Sequence, residues 1–510
     1  MSGFRTLHRI TNENDVGGGP ASPIWRVKFS PCRSSPPSSS PSLRLLSAGA
    51  TNKIKCYTLT DRSEKDVNSN DVLDASAMNA TCTECLISRS DDHYLDACSD
   101  SSNKAVLGYA ALDVARNYCG EDETAGNEVV VASKLGGHVC VWVRLDPFLK
   151  EKGVVVAEDN DISGSLTPPS STSAGIQHRL PHAEFTVSSA TGTTLAIRPP
   201  ILGNYYSKKE TDILLALGCA DGSVIICNSG ILASRPGDNG ITRSAASSSS
   251  SAVVGDTSID DTVVIHITSF NNSNNNSNNN ATLPGEIIAK VGGGHACVMS
   301  LTWHPTIPNT FAVGRKDGIV DIYSAHPTTA SSSEDYYYGS VGLHFRRVHR
   351  LVHSSFPIRA LSYSMPDGEL LFAGDDDGKL YSYDASMALM LSSTSSPPSQ
   401  NSGSSFNVAA PVKLVACALS AHKGWIMNLT AFHDGNRVAT CGSDRSVRVW
   451  DCGMGLASGT PVHSFEGVNE GWVWGVDCSS CCGAVGAGFG RVKLISCGND
   501  GSMQVFSCSD

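Results

Sequence analysis

A short strand of alternating apolar residues followed by a two-strand hairpin recurs seven times along the chain, and no other feature constrains its fold as tightly. The fullest copy is "AHKGWIMNLTAFHDGNRVATCGSDRSVRVWDCG", from Ala421 to Gly453. It reads as an inner strand at Ile426 to Phe432, a turn at Asp434-Gly435-Asn436, a second strand at Arg437 to Cys441 and a third at Val447 to Trp450. The other inner strands are "IWRVKFS" from Ile24, "AVLGYAAL" from Ala105, "GTTLAIRPP" from Gly192, "CVMSLTWHP" from Cys297, "PIRALSYS" from Pro357 and "WVWGVDCS" from Trp472. Their hairpins are "LLSAGATNKIKCY", "VVVASKLGGHVCVW", "LLALGCADGSVIIC", "FAVGRKDGIVDIY", "LLFAGDDDGKLYSY" and "KLISCGNDGSMQVF". One copy cannot bury its own apolar face, so the copies must stack.

Radial stacking of such units gives an all-β, seven-bladed WD-repeat β-propeller, here one domain over 1–510. Inner strands are expected near 24–30, 105–112, 192–198, 297–303, 357–363, 426–432 and 472–478. Seven repeats of about 40 to 45 residues fill roughly 300 positions and leave on the order of 200 for insertions. Polar, Ser-, Pro- and Asn-rich tracts near 34–42, 159–175, 230–285, 328–340 and 392–405 supply the surplus. They carry too little apolar surface to offset ordering, so long disordered loops are expected there. The last hairpin leaves blade seven with three strands, and "FRTLHRIT" within residues 1–12 is expected to close the ring as its fourth.

In the fullest copy His422, Thr440, Asp444 and Trp450 have the residue types of a buried hydrogen-bond chain from carboxylate to imidazole to hydroxyl to indole. The set looks catalytic but reads as structural, because the hydroxyl faces a Trp in a packed blade. Partial versions are His295 with Asp317 and Tyr323, His353 with Asp377 and Tyr383, and Ser496 with Asp500 and Phe506. Metalloprotease, Walker and nucleophile-elbow motifs are absent from the sequence, and "GAVGAGFG" at Gly483 to Gly490 interrupts a hairpin where a phosphate loop would need a following helix. The expectation is therefore no enzyme and no cofactor.

Of 18 cysteines, Cys56, Cys140, Cys219, Cys227 and Cys441 fall on strands as small hydrophobes, which suits a reducing compartment. Cys82 and Cys85 form a C-x-x-C, and Cys478, Cys481 and Cys482 cluster later; without a second ordered knuckle no metal site is expected. A net charge of −11 offers no field for a phosphate backbone, so direct nucleic-acid binding is not expected. No leader and no apolar run of about 18 residues or more is evident, so neither secretion nor a membrane span is expected.

The second position of the inner strands carries Trp25, Met299, Arg359, Met427 and Trp474, with Trp425 and Trp472 just ahead of two strands. Trp and Arg dominate interaction hot spots, although a Trp can equally fill the wedge between blades. Trp25, Arg359, Trp425 and Trp474 are the candidate partner-binding residues.

From His295 to Cys508 the segments "CVMSLTWHP", "HSSFPIRALSYSMPDGELLFAGDDDGKLYSYDA", "LSAHKGWIMNLTAFHDGNRVATCGSDRSVRVWDCG" and "VHSFEGVNEGWVWGVDCS" resemble the WD-repeat subunit of the superkiller complex, which also serves in the Paf transcription-elongation complex of animals and plants. "PIRAL" and "WVWGV" distinguish that family from generic WD proteins, and "IWRVKFS" and "TTLAI" extend the likeness. The resemblance implies a non-catalytic scaffold that holds a tetratricopeptide subunit and, through it, an RNA helicase feeding the exosome in 3′-to-5′ mRNA decay. It also implies a cytoplasmic protein, with Paf subunits and the nucleus as a second setting. A substrate receptor of a ubiquitin ligase is the alternative. The long Ser/Asn insertions and the divergent first three blades depart from the compact family pattern.

Overall fold

The computed structural model describes residues 4–11, 22–30, 43–61, 78–88, 108–117, 127–144, 177–199, 212–232, 284–293, 296–327, 343–386, 412–479 and 493–508. Their strands form seven sheets, six of four strands and one of five. The inner strands touch one another in sequence and the last touches the first, so the sheets stand as blades around a closed ring.

Blade one contains Ile24–Phe29, Leu43–Gly49, Lys53–Asp61 and Met78–Ile87. Its outer edge is covered by Gln177–Arg179, which pairs in parallel with Glu84 to Leu86. That fifth strand shields backbone groups that would otherwise template association. Blade two is Tyr109–Asn117, Asn127–Lys134, His138–Arg144 and Ala183–Thr186. Blade three is Ala190–Ile197, Asp212–Cys219, Val224–Leu232 and Ile287–Val291. Blade four is Val298–Trp303, Thr310–Arg315, Ile319–Pro327 and Leu343–Val352. Blade five is Ile358–Tyr363, Leu370–Asp375, Leu380–Asp384 and Leu414–Ala418. Blade six is Ile426–Ala431, Arg437–Gly442, Val447–Asp451 and His463–Phe465, with the short helix Met454–Ser458 before its last strand. Blade seven joins Val473–Cys478, Lys493–Gly498 and Ser502–Cys508 to the N-terminal Phe4–Thr11. This last strand runs antiparallel to Ser502–Cys508 from Phe4 opposite Cys508 to Thr11 opposite Ser502.

Each buried apolar cluster spans two neighbouring blades. Blade seven meets blade one, for example, through Ile10, Ile24, Val27, Leu45, Ile495 and Val505. The core is thus a ring of wedges, and glycines on the second strands set how close the blades come. A Cβ at Gly374 would lie 2.6 Å from Cγ2 of Ile426 in the next blade, and one at Gly314 2.7 Å from Cγ2 of Ile358. Those contacts are tighter than side chains accept, so glycine is what lets the next inner strand seat.

Some boundaries differ from those read in the sequence. The inner strand of blade two begins at Tyr109 and runs to Asn117, later than 105–112. Just ahead of it Gly108 lies close against blade one, where a Cβ would stand 2.1 Å from the Gly49 carbonyl oxygen. In blade three the inner strand already starts at Ala190. The 230–285 insertion is shorter at both ends, because Val224–Leu232 continues the third strand and the Gly285 amide bonds the Asn228 carbonyl at 2.8 Å. Residues 233–283 and the tracts 34–42, 159–175, 328–340 and 392–405 lie outside the described residues, as do Cys481, Cys482 and "GAVGAGFG".

Candidate functional site

The second residue of the inner strand is special for a reason the repeat pattern does not display. Pairing with the second strand skips from Ile24 to Arg26, Tyr109 to Ala111, Val298 to Ser300, Ile358 to Ala360, Ile426 to Asn428 and Val473 to Gly475. Each skipped residue is a β-bulge, left out of the ladder and re-aimed by the local twist. Trp25, Ala110, Met299, Arg359, Met427 and Trp474 occupy these bulges at one end of the ring of inner strands.

Across blades five to seven the bulges and the residues ahead of them build a continuous strip. The Arg359 guanidinium lies 4.8 Å from the Trp425 ring centroid, and Trp425, Trp472 and Trp474 follow with centroids 5.4 and 5.5 Å apart at interplanar angles of 57° and 53°. Asp376 fixes Arg359 with a forked pair, accepting Nε–H at 2.6 Å and Nη2–H at 2.9 Å. Such a forked pair locks the rotamer and leaves the cation over the indole. Trp425 and Trp472 are 39% and 42% exposed, too much for residues serving only as core. Phe356, 44% exposed, stands two residues ahead of the same blade-five strand, with the Lys379 ammonium 5.9 Å from its ring.

Arg359, Trp425 and Trp474 are therefore brought together, and Trp472 joins them. Trp25 stands apart: its half-buried ring makes no ring contact among the described residues, while its carbonyl accepts from Arg26 at 3.0 Å. Met427 is buried in the wedge between blades six and seven. Trp474 also leans on that wedge, and its buried Nε1–H has no hydrogen bond among the described residues. Asp376 escaped the sequence reading because it is one of three consecutive aspartates in a hairpin turn; only the bulge at Arg359 picks it out.

The fullest repeat holds the hydrogen-bonded chain. Trp450 donates Nε1–H to Thr440 Oγ1 at 2.9 Å, Thr440 donates to His422 Nε2 at 2.8 Å, and His422 Nδ1–H reaches Asp444 Oδ1 at 3.0 Å. Burial keeps the imidazole neutral against the pull of Asp444. Burial also opposes the Asp444 charge, but hydrogen bonds from His422, the Lys423 amide and Ser446 outweigh it and hold this carboxyl well below its usual range.

The partial sets resolve differently. In blade five the acceptor is Asp375 rather than Asp377: it takes hydrogen bonds from Ser354 Oγ at 2.7 Å and Tyr381 OH at 3.1 Å, while Asp377 pairs with Lys379. In blade seven Asp500 receives Asn469 Nδ2 at 2.9 Å and Ser502 Oγ at 2.9 Å, so Asn469 stands where the imidazole would be expected. In blade four His295 lies outside the described residues, and Asp317 only caps the turn at Ile319. The buried charge there is Asp321, bound by Arg315 Nε at 2.8 Å and Arg350 Nε at 2.9 Å, with Arg315 Nη2 donating to Tyr323 OH at 3.0 Å. A third-strand aspartate matched no position of the sequence template, so it was missed.

The inner strands also carry a polar cluster inside the ring. Lys28 Nζ lies 3.9 Å from Asp113 and 3.7 Å from Asp477, and these carboxylates accept the Ile197 and Phe29 amides at 2.8 and 2.7 Å. Asp477 above all raises the Lys28 pKa, which keeps the amine charged and poorly nucleophilic. Its geometry is that of a blade-to-blade tie. Elsewhere Cys82 and Cys85 share a hydrogen bond that lowers the first thiol's pKa and raises the second's. Cys56, Cys140, Cys219, Cys227 and Cys441 are buried free thiols.

Buried histidines among the described residues make stability depend on pH, His304 and His422 foremost. His304 Nδ1 accepts the Thr306 and Ile307 amides at 3.2 and 2.9 Å, and burial holds this ring down to about 4. His422 is depressed in the same sense. Because both fold as neutral rings, the unfolded chain takes up protons first as pH falls below the ordinary value of 6.5. Denaturant midpoints should therefore hold above about pH 7 and decline steadily toward about pH 4, with Asp444 adding a further loss below that as it protonates. A midpoint unchanged over that interval would contradict the assignment of neutral buried imidazoles.

No helix among the described residues is long and apolar enough to cross a membrane. The family model described as "WD domain, G-beta repeat" matches residues 345–384 and 413–451, which cover the outer strand of blade four with blade five's first three strands, and the outer strand of blade five with blade six's. No curated protein matches the chain. Two matched repeats set in a ring of seven four-stranded blades, one of them extended by a fifth strand, make this chain a WD-repeat β-propeller.

Proposed function

We propose that this propeller is a protein-interaction scaffold, the WD-repeat subunit of a superkiller complex, gripping a tetratricopeptide subunit with its aromatic strip and so supporting exosome-mediated mRNA decay. A second assignment to the Paf complex follows from the same resemblance, giving a cytoplasmic protein that also works in the nucleus. One observation carries the reading: "PIRAL" and "WVWGV", the segments that set the resembling family apart, contribute Arg359, Trp472 and Trp474, and Trp425 joins these residues into a single, partly exposed strip. Trp and Arg side chains held rigid before a partner arrives lose little freedom on binding, which favours them as anchors.

The test is a tagged purification from native lysate read by mass spectrometry, with Trp474→Ala and Trp425→Ala alongside the parent. The expected catch is a tetratricopeptide scaffold with a helicase, and Paf subunits if the nuclear role holds. Each variant should weaken binding to the recovered scaffold by about 2 kcal/mol, roughly 30-fold, with the more exposed Trp425 leaving the melting temperature unchanged. Recovery of ubiquitin-ligase adaptors would replace the assignment, and full binding by both variants would remove the strip from the interface.

A further inference from the structure

Blade two holds a cluster that the interaction surface does not use. His138 and Cys140 lie two apart on His138–Arg144, so both side chains leave one face of the sheet. Glu184, on the neighbouring strand Ala183–Thr186, is directly opposite Cys140, and Thr186 is opposite His138. The three ligand atoms, an imidazole nitrogen, a thiol sulfur and a carboxylate oxygen, lie within 4.8 Å of one another.

We propose that His138, Cys140 and Glu184 form a binding site for a zinc ion, which ties the third and fourth strands of blade two together. The donor set suits a borderline-soft, tetrahedral cation and is wrong for magnesium or calcium, which take oxygen ligands. Ligands at about 2.0 to 2.3 Å from zinc stand roughly 3.3 to 3.7 Å apart. Cys140 Sγ is already 3.8 Å from Glu184 Oε1, while His138 Nε2 is 2.6 Å from the same oxygen. The His138–Glu184 contact must open by about 1 Å, and the imidazole nitrogen starts within 4.8 Å of the Cys140 sulfur. Both side chains keep some exposure, 26% and 13%, and their χ angles can supply that shift, whereas the fully buried Cys140 is the fixed post.

The surroundings support the ligand set. His138 Nδ1 is engaged by Thr186 Oγ1 at 3.0 Å, which orients the ring and presents Nε2 inward, as second-sphere partners of metal-bound histidines do. Ser88, just past blade one's fourth strand, donates to Glu184 Oε1 and steadies the carboxylate from the adjacent blade. Three protein ligands leave the fourth position to solvent. The ion displaces the thiol proton of Cys140 to solvent, while the imidazole binds through Nε2 and keeps its one N–H on Nδ1, facing Thr186 Oγ1.

The experiment uses the full chain, stripped with chelator under reducing conditions and titrated with cobalt(II) and then zinc(II). One cobalt per chain should bind, with a thiolate-to-cobalt charge-transfer band and tetrahedral d–d bands that zinc abolishes. Cys140→Ser should remove the charge-transfer band, and Glu184→Gln should weaken binding at least about tenfold while its metal-free melting curve stays that of the parent. The double variant Cys82→Ser with Cys85→Ser should keep the band. Zinc, and not magnesium, should raise the parent's melting temperature. Absence of the band, its survival in Cys140→Ser, or its loss only in the Cys82/Cys85 variant would overturn the site and leave a His138–Glu184 ion pair.

Discussion

Deletion of residues 1–12 should lower the melting temperature by on the order of 5 to 10 °C. The deleted segment contains Phe4–Thr11, the fourth strand of blade seven, whose pairing with Ser502–Cys508 runs along its length with one irregularity between Thr6 and His8. Its removal strips backbone hydrogen bonds from the outer edge of that blade, each contributing about 0.5 to 1.5 kcal/mol. It also withdraws Ile10 from the apolar cluster joining blade seven to blade one, and Arg9 from Asp500, which it contacts at 3.1 Å. The sum is several kcal/mol, roughly 5 or more, placed at the one joint where the ring is closed by chain from opposite ends of the sequence. Scanning calorimetry gives the shift. A peptide spanning residues 4–11, added to the truncated protein, should restore part of it by re-forming the strand. An unaltered transition in the truncated chain would mean that the propeller closes without this strand.

Asp321→Ala should cost about 3 to 5 kcal/mol, the range for removing one partner of a buried ion pair. Arg315 and Asp321 both have side chains with no exposure, and Arg315 also donates to the Gly222 carbonyl in the hairpin of the preceding blade. Without the carboxylate the guanidinium stays enclosed, because its bonds to Gly222 and Tyr323 hold it in place but do not neutralise it. Arg350, about one-third exposed at 32%, can swing to solvent and contributes little to the loss. Burial works against the charge of Asp321, but Arg350 and Arg315 outweigh it and hold its pKa below the ordinary value. Replacing both residues, Arg315→Met with Asp321→Ala, should recover much of the stability, since the enclosed charge is then gone. Chemical denaturation of the single and double variants checks this, and a single-variant loss under about 1 kcal/mol would show that the pair is not enclosed in solution.

Two residues of the same kind show how differently these features could be read. Asp444 was visible from sequence because its neighbours His422, Thr440 and Trp450 fall at the spacing of one repeat, so a local template suffices to predict their contact. Asp321 was not, because its significance depends on Arg350 arriving from the blade's outer strand and on Gly222 from the preceding blade. Asp375 shows a milder version: the turn "GDDDG" offers three aspartates, and only the packing of Ser354 and Tyr381 selects the first.

The sequence alone determined the repeat, the count of blades and the apolar inner strands, because alternation with period two and a hairpin turn are local properties of the chain. It also named the tryptophans and the arginine at the heads of those strands. The tertiary structure decided what those residues do. A bulge at the second position of six inner strands frees the side chain from the ladder, and glycines such as Gly374 let blades approach closely enough for Arg359, Trp425 and Trp472 to touch across two boundaries. It likewise brought Glu184 across from Cys140, and Phe4–Thr11 beside Ser502–Cys508. Such contacts join segments far apart in the chain, and their register is fixed by how the wedges pack rather than by anything written in either segment.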